Sequence, residues 1–136
     1  MTRTLIAALA LAALAAPALA AGDAAKGEAD FKKCKACHAI VAADGTEIVK
    51  GGKTGPNLFG VVGRTVGGVP DFAYSESLKS VGAAGKVWDE AMLVAYLPDP
   101  SAWVKAETGD DAAKSKMSFK LSKGAEDMAA YLATLK

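Results

Sequence analysis

Both cysteines of the chain and its only histidine lie within five consecutive residues, Cys34-Lys35-Ala36-Cys37-His38. Two thiols and an imidazole at this spacing could hold a metal ion, exchange thiols for a disulfide, form a structural disulfide or anchor a haem. A structural zinc site needs four protein ligands, and the chain has no other cysteine or histidine to complete one. The composition therefore argues against zinc.

The surroundings of the motif also disfavour both kinds of disulfide chemistry. A thiol–disulfide oxidoreductase carries Cys-x-x-Cys at the start of a helix in a strand–helix–strand unit, whereas here the motif follows a predicted helix and no parallel strands are predicted. A disulfide between residues three apart would constrain the unfolded chain little. Cys-x-x-Cys-His is, by contrast, the attachment signature of c-type haem. We predict that Cys34 and Cys37 bond to the porphyrin vinyl groups and that His38 is the proximal ligand of the iron.

A haem iron that transfers electrons needs a second axial ligand, and a methionine thioether in that position raises the reduction potential. Met92 and Met128 lie on apolar faces of predicted helices, where methionine commonly fills gaps in a core. Met117 lies instead in the sequence AAKSKMSFKLS between two predicted helices, a position that helix packing does not explain. We therefore predict that Met117 is the distal ligand.

The first 21 residues have the pattern of a secretory signal peptide. Arg3 precedes an apolar run over residues 5–16, and residues 18–20 (Ala-Leu-Ala) supply the small residues that signal peptidase reads. We expect cleavage before Ala21 or Gly22 and export to the periplasm, in keeping with covalent haem attachment outside the cytoplasm. The alternative is an uncleaved membrane anchor, but the run is mostly alanine and short for a bilayer span. No later segment is apolar enough to span a membrane, so no stable membrane insertion is expected.

Residues 22–136 are expected to form one domain. Loss of the leader removes Arg3, so the 16 basic residues of the chain become 15 and balance its 15 acidic residues. This balance gives no indication of nucleic-acid binding, and no nucleic-acid partner is expected. Lysines nevertheless cluster around the Cys-x-x-Cys-His motif and around Met117, which predicts a charge asymmetry that steers a partner. Ordinary solvated lysines are the alternative interpretation.

Five short helices separated by glycine- and proline-rich loops are predicted, so the fold class is all-α. The expected helices are 23–33, 72–81, the residues from Asp89 to Pro98, those from Asp99 to Gly109, and 122–136. Gly27 within the first of them predicts a close crossing with another helix. Residues 44–68 contain eight glycines and one proline and no convincing strand pattern. A loop this long in a small domain needs something to fill its middle, and a large apolar cofactor would do so.

The sequence after the leader resembles the class I cytochromes c. The similarity runs from GDAAKGEADFKKCKACH through KTGPNLFGVVGR and VWDEAMLVAYLPDP to KMSFKL and GAEDMAAYL. It is closest to the larger bacterial members, the cytochromes c2 of purple photosynthetic bacteria and their relatives in denitrifying bacteria, because the AETGDDAAKS stretch before Met117 is long. The resemblance implies a small cytochrome c fold, with about five short helices and long loops wrapped around one covalently attached haem c.

The resemblance also implies roles for residues that match the family's motifs. The backbone carbonyl of Pro56 would accept the N–H of the proximal imidazole, which orients the ring and raises its basicity. A simple turn is the alternative interpretation of Gly-Pro-Asn. Tyr74 and Trp88 would hydrogen-bond a haem propionate, and Arg64 would offset the charge of that propionate.

Two further aromatic residues match family positions, and two residues depart from them. Tyr96 would approach the sulfur of the methionine ligand, and Phe119 would shield the haem edge. Leu78 lies where many relatives have an asparagine, and Ser115 replaces a common threonine. These departures affect buried hydrogen bonding and the reduction potential rather than the ligation of the iron.

The function that the resemblance implies is that of a soluble, periplasmic, monomeric one-electron carrier, without catalytic residues. Its partners would be membrane redox complexes, a cytochrome bc1 complex as the donor and a photosynthetic reaction centre or terminal oxidase as the acceptor. The alternatives are a haem enzyme or gas-binding cytochrome with a labile sixth ligand, and a thiol or structural protein without haem. Seven lysines are expected to surround the exposed haem edge and to dock acidic patches of the partners: Lys33, Lys35, Lys53, Lys114, Lys116, Lys120 and Lys123.

Overall fold

The structure, a computed structural model, describes residues 21–136, so the predicted signal peptide lies outside the described residues except for Ala21. None of the helices in the described part is long and apolar enough to cross a membrane. Its elements are α1 (Ala24–Asp30) with a following 3-10 turn (Phe31–Lys33), β1 (Ile40–Val41), β2 (Glu47–Val49), α2 (Glu76–Ala83), α3 (Glu90–Tyr96), α4 (Pro100–Thr108) and α5 (Ala125–Ala133). The predicted all-α class with five short helices is confirmed.

Side-chain caps fix where most of these helices begin. Asp23, Asp89 and Asp99 each accept backbone N–H groups in the first turn of α1, α3 and α4. A cap of this kind satisfies backbone donors that have no partner inside the helix. Gly109, with φ of 67°, ends α4 in the left-handed conformation that glycine adopts readily. These boundaries agree with the sequence prediction to within about a residue at the helix starts.

Two predicted helix starts were wrong. The second helix was expected from Phe72, but α2 begins at Glu76, because the Oγ of Ser75 accepts the N–H of Leu78 at 3.2 Å and caps the helix there. The last helix was expected from Ser122, but α5 begins after Gly124, whose φ is 81°. At the first of these starts, residues 72–75 belong to a loop that lines the cavity described below.

The prediction that residues 44–68 contain no strand was also wrong. Glu47–Val49 forms β2 and pairs with β1 in an antiparallel two-stranded sheet, in which Ile40 lies opposite Val49 and Val41 opposite Glu47. Gly45, with φ of 87°, supports the tight connection between the two strands. The sheet fixes the chain just after the Cys-x-x-Cys-His motif.

The terminal helices α1 and α5 cross closely, as Gly27 predicted. A Cβ atom on Gly27 would overlap the carbonyl oxygen of Asp127, so only glycine fits at the crossing. Phe31 packs edge-on against Tyr131, with ring centroids 5.8 Å apart. The Asp23 N–H also donates to the Asp127 carboxylate at 2.7 Å. This crossing holds the start of the Cys-x-x-Cys-His segment against the C-terminal helix.

Candidate haem site

A cavity of about 380 Å³ lies between the helices and the loops that connect them. It brings together four residues that the sequence analysis singled out, namely Cys34, Cys37, His38 and Met117. Most of the remaining wall is apolar and comes from several separate segments of the chain, including Phe31, Leu58, Val61, Leu78, Trp88, Leu93, Leu97 and Leu132. The cavity therefore has the size and character of a site for a large apolar group with a few polar contacts.

The two cysteines follow the 3-10 turn directly. The N–H groups of Cys37 and His38 both donate to the carbonyl of Cys34, at 3.1 and 3.0 Å, so the motif continues as one tight turn. Cys34 is half-buried and Cys37 is exposed, and both thiols are free. Burial raises the pKa of the Cys34 thiol, with the charge of Lys33 acting in the opposite direction. A thiol used in disulfide exchange needs a lowered pKa, so this environment does not suit redox chemistry of Cys34 itself.

His38 is buried, and its ring is fixed by one hydrogen bond. Its Nδ1 lies 2.7 Å from the carbonyl oxygen of Pro56. Because a carbonyl oxygen only accepts, Nδ1 carries the proton and Nε2 keeps a free lone pair. Burial lowers the pKa of His38, the charge of Arg64 lowers it further, and the hydrogen bond to Pro56 acts in the opposite direction. The ring is therefore a neutral imidazole, the form that ligates metals.

The loop before Pro56 packs directly on the imidazole. A Cβ atom on Gly55 would overlap the ring of His38. The Gly55 N–H donates to the carbonyl of Cys37 at 2.8 Å, which keeps the loop in this position. The glycine is thus needed for close approach of the backbone to the ring.

Met117 lies in the loop between α4 and α5 and is half-buried. Its backbone N–H donates to the Oγ of Ser115 at 3.1 Å, and the same Oγ lies 3.1 Å from the hydroxyl of Tyr96. The N–H of Ser115 donates in turn to the Oγ of Ser101 in α4, at 3.1 Å. Tyr96, which lines the cavity, therefore contacts the Met117 segment through Ser115.

The other two methionines of the described residues pack as the sequence analysis expected. Met128 is 1% exposed in the core and Met92 packs against the core from α3. Met128 also contributes to the cavity wall. Its position on a packed helix differs from that of Met117, whose loop is held by hydrogen bonds rather than by helix packing.

One buried polar atom points to a missing anionic partner. Among residues 21–136, the Nε of Arg64 is the buried side-chain nitrogen or oxygen without a hydrogen-bond partner. The Nη1 of Arg64 donates to the carbonyls of Asn57 and Phe59, at 3.0 and 3.4 Å, while the side chain also lines the cavity. Leaving a buried donor unpaired costs about 1–3 kcal/mol, so a carboxylate in the cavity would remove this cost.

The remaining predicted contacts lie around the same cavity. Tyr74 and Trp88 line it, and the hydroxyl of Tyr74 accepts the N–H of Val69 at 3.3 Å. Burial raises the pKa of Tyr74, so its hydroxyl stays protonated and able to donate. Phe119 lines the cavity but is 42% exposed, which places it at the cavity mouth. The thiols, imidazole, thioether, unpaired guanidinium nitrogen and apolar wall together fit a haem c.

The seven predicted docking lysines are all exposed, but only Lys33 and Lys116 line the cavity. Some of them have intramolecular partners. Lys33 pairs with Asp30 at 3.0 Å, Lys120 pairs with Asp99 at 2.6 Å, and the Nζ of Lys116 donates to the carbonyl of Ala73 at 2.7 Å. The other four make no ion pair within residues 21–136: Lys35, Lys53, Lys114 and Lys123.

Two residues that hold this site together were not predicted from the sequence. Asn57 bonds both backbone groups of Val41 through its side chain, and Ser101 accepts the N–H of Ser115. An asparagine after Gly-Pro is a generic turn former, and a serine in the first turn of a helix is common. Neither residue therefore carried a signal that distinguished it from local structure.

Known proteins similar to this chain in sequence are bacterial cytochromes c. No family model matches the chain. The chain is 57% identical over 108 residues to cytochrome c2 of Rhodobacter capsulatus, covering 79% of each sequence. It is 53% identical over 135 residues to cytochrome c-551 of Roseobacter denitrificans, covering 99% of this chain and 96% of the relative.

Solved structures agree with the sequence relatives. Cytochrome c2 from Rhodobacter capsulatus superimposes with a TM-score of 0.82 at 58% identity, over 83% of this chain and 97% of that one. Ferric cytochrome c-550 from Paracoccus versutus gives a TM-score of 0.82 at 54% identity, over 84% and 98% of the two chains.

The fold and the site define a class I c-type cytochrome, a small helical protein built around one covalent haem c. The chain belongs to the cytochrome c2 family within that class. It is accordingly an electron-transfer protein that carries haem c, and not an enzyme.

Proposed function

We propose that residues 22–136 form a periplasmic one-electron carrier, which is exported by the signal peptide and released when that peptide is cleaved. In it, Cys34 and Cys37 hold the haem c and His38 and Met117 are its axial ligands. One observation carries this assignment: two free thiols, a neutral imidazole with an available Nε2 lone pair and a loop methionine all line one largely apolar cavity.

When bound, the haem supplies an iron that gains or loses one electron. The protein's part is to keep the surroundings of that iron nearly unchanged between the two states. His38 is held by Pro56 and by the close approach of Gly55, and the Met117 segment is held by Ser115 and Tyr96. Fixed ligands and an apolar wall favour electron transfer over ligand exchange and raise the reduction potential.

The polar contacts of the cavity suggest how the propionates are held. We assign the Nε of Arg64 and the side chains of Tyr74 and Trp88 to this role, because all three line the cavity and the Nε has no partner in the described residues. Phe119 shields the haem edge at the cavity mouth, and Tyr96 supports the methionine ligand.

The proposed partners are membrane redox complexes. The donor is a cytochrome bc1 complex, and the acceptor is a photosynthetic reaction centre or a terminal oxidase. The seven exposed lysines form the docking surface for acidic patches on these partners. Charge complementarity of this kind speeds encounter and permits a transient complex with rapid release.

The first experiment tests attachment and export. The full chain is expressed in a bacterium that attaches haem c, and the protein is recovered from periplasm and cytoplasm for intact mass measurement. We expect a periplasmic protein that begins at Ala21 or Gly22 and carries the mass of one haem. The Cys34→Ala/Cys37→Ala double variant should be exported but carry no covalent haem. A wild-type protein without covalent haem, or one kept in the cytoplasm, would contradict the proposal.

The second experiment tests the role as a carrier. Stopped-flow mixing with purified bc1 complex, and flash oxidation by reaction centres or oxidase-containing membranes, should each give rates that fall steeply as salt rises. A protein that is not reduced by the bc1 complex, is oxidised by neither acceptor and binds carbon monoxide readily in its native ferrous state would instead be a gas-binding haem protein.

A further inference from the structure

Asn57 lies beside the hydrogen bond that orients His38, and its side chain joins the two segments that form that bond. Its Oδ1 accepts the N–H of Val41 at 3.0 Å, and its Nδ2 donates to the carbonyl of Val41 at 2.8 Å. The same Oδ1 accepts the N–H of Phe59 at 3.0 Å. One neutral side chain thus satisfies three backbone groups from two segments.

The arrangement extends the small sheet on its second side. Val41 pairs with Glu47 of β2, while its own N–H and carbonyl are taken by Asn57. Asn57 therefore occupies the place that a neighbouring strand would have. Two backbone hydrogen bonds join the same two segments. The Gly55 N–H donates to the carbonyl of Cys37 at 2.8 Å, and the Leu58 N–H donates to the carbonyl of Ala39 at 3.2 Å.

The hydrogen bonds between the Asn57 side chain and Val41 form a clamp that lies close to the imidazole of His38 along both segments. Val41 lies three residues after His38, and Asn57 directly follows Pro56, whose carbonyl accepts the His38 Nδ1–H at 2.7 Å. The backbone carbonyl of Asn57 is held from the other side by the Nη1 of Arg64, at 3.0 Å. A loss of the clamp would let the Pro56 carbonyl move away from the ring.

We propose that Asn57 is a positioning residue, which acts through Pro56 on the basicity of His38 and so on the reduction potential. The inference rests on the proposed function, because it takes His38 as the proximal ligand. A strong Nδ1–H···O bond makes the imidazole a better donor and stabilises the ferric state. A weaker bond should therefore raise the reduction potential.

The test compares Asn57→Ala with a matched variant, Thr108→Ala. Thr108 is also a neutral side chain that bonds backbone groups: its Oγ1 donates to the carbonyl of Val104 at 2.8 Å and accepts the N–H of Asp110 at 3.3 Å, and it does not line the cavity. Both variants should lose stability against denaturant. Only Asn57→Ala should show a higher midpoint potential and a roughly tenfold faster solvent exchange of the His38 Nδ1 proton by NMR.

An unchanged potential and unchanged proton exchange in Asn57→Ala, together with a loss of stability like that of Thr108→Ala, would overturn the inference. If Asn57→Ala does not fold, Asn57→Asp keeps the two acceptor bonds and loses only the donor to Val41. The added negative charge of the aspartate changes the reduction potential directly, so only the exchange of the His38 Nδ1 proton is measured in this variant. Exchange as slow as in the wild type would also overturn the inference. Haem attachment is checked first by mass, because a wild type without covalent haem would be a failure of the proposed function instead.

Discussion

The hydroxyl of Tyr96 lies 3.1 Å from the hydroxyl oxygen of Ser115, and that oxygen also accepts the backbone N–H of Met117. Ser115 is therefore the shared contact between α3 and the loop that carries the proposed distal ligand. The N–H of Ser115 adds a third link, to Ser101 in α4. The loop is held by hydrogen bonds to two helices at Ser115, two residues before its methionine.

Ser115→Ala should loosen the methionine ligand. The change leaves the Tyr96 hydroxyl and the Met117 N–H without their partner, at a cost of about 1–2 kcal/mol. We expect the ferric absorption band that reports methionine–iron bonding to disappear at a lower urea concentration than in the wild type. Ser122→Ala, an exposed serine in the same loop that does not line the cavity, is the matched control and should not shift this midpoint. Equal midpoints in the two variants would show that Ser115 does not hold the ligand.

Tyr96→Phe should make the protein more resistant to alkali. Burial raises the pKa of Tyr96, with the hydrogen bond to Ser115 acting in the opposite direction. An unfolded tyrosine ionises near about pH 10, whereas the folded one stays protonated, so ionisation favours the unfolded chain as pH rises above that value. The stability that Tyr96 contributes is complete below about pH 10 and is lost above it. Denaturant unfolding at several pH values should show a smaller alkaline loss in the variant, and parallel losses would argue against this origin.

Gly27→Ala should destabilise the crossing of the terminal helices. The added Cβ would overlap the carbonyl oxygen of Asp127, which is backbone and cannot move aside without shifting α5. We expect a loss of roughly 2–3 kcal/mol in the free energy of unfolding. Glu28→Ala, an exposed neighbour on the same helix, should change it by less than about 0.5 kcal/mol. If both variants unfold at the same denaturant concentration, the crossing is more adaptable than the structure indicates.

Asp99→Asn should speed association with an acidic partner. Asp99 neutralises Lys120 through an ion pair of 2.6 Å, and the amide keeps the ability to cap α4. Releasing this lysine should raise the association rate roughly twofold at low salt, with the difference vanishing at high salt. Glu107→Gln makes the same change in net charge by releasing Lys86, which is not among the seven docking lysines. Equal acceleration by both variants would mean that net charge, rather than the docking surface, governs the rate.

Much of the fold followed from short-range signals. Asp89 and Asp99 marked two helix starts because a capping carboxylate acts on the three residues that follow it. Gly27 indicated a helix crossing because no larger residue fits there. The start of α2 was misjudged because Phe72 and Tyr74 look helical locally but line the cavity, an effect of the tertiary structure.

The residues of the site also divide into those that the sequence predicted and those that depend on the tertiary structure. Cys34, Cys37 and His38 form a contiguous motif with one dominant chemical meaning, and Met117 stood out by its place in a loop. The contributions of Asn57 and Ser101 depend on which segment lies next to them, and a single sequence does not contain that information. The short strand Glu47–Val49 was not predicted because it has only three residues in a glycine-rich segment, and it is recognised only by its pairing with Ile40–Val41.

The central claim is that His38 and Met117 close the coordination of one haem iron. Its most direct test is the ferric absorption band of methionine–iron bonding, measured in the wild type, Met117→Leu and Met128→Leu. Both methionines contribute to the cavity wall, so Met128→Leu is the matched control. We predict the band in the wild type and in Met128→Leu, and its loss in Met117→Leu. A band that survives in Met117→Leu, or that is absent from the wild type, would contradict the assignment.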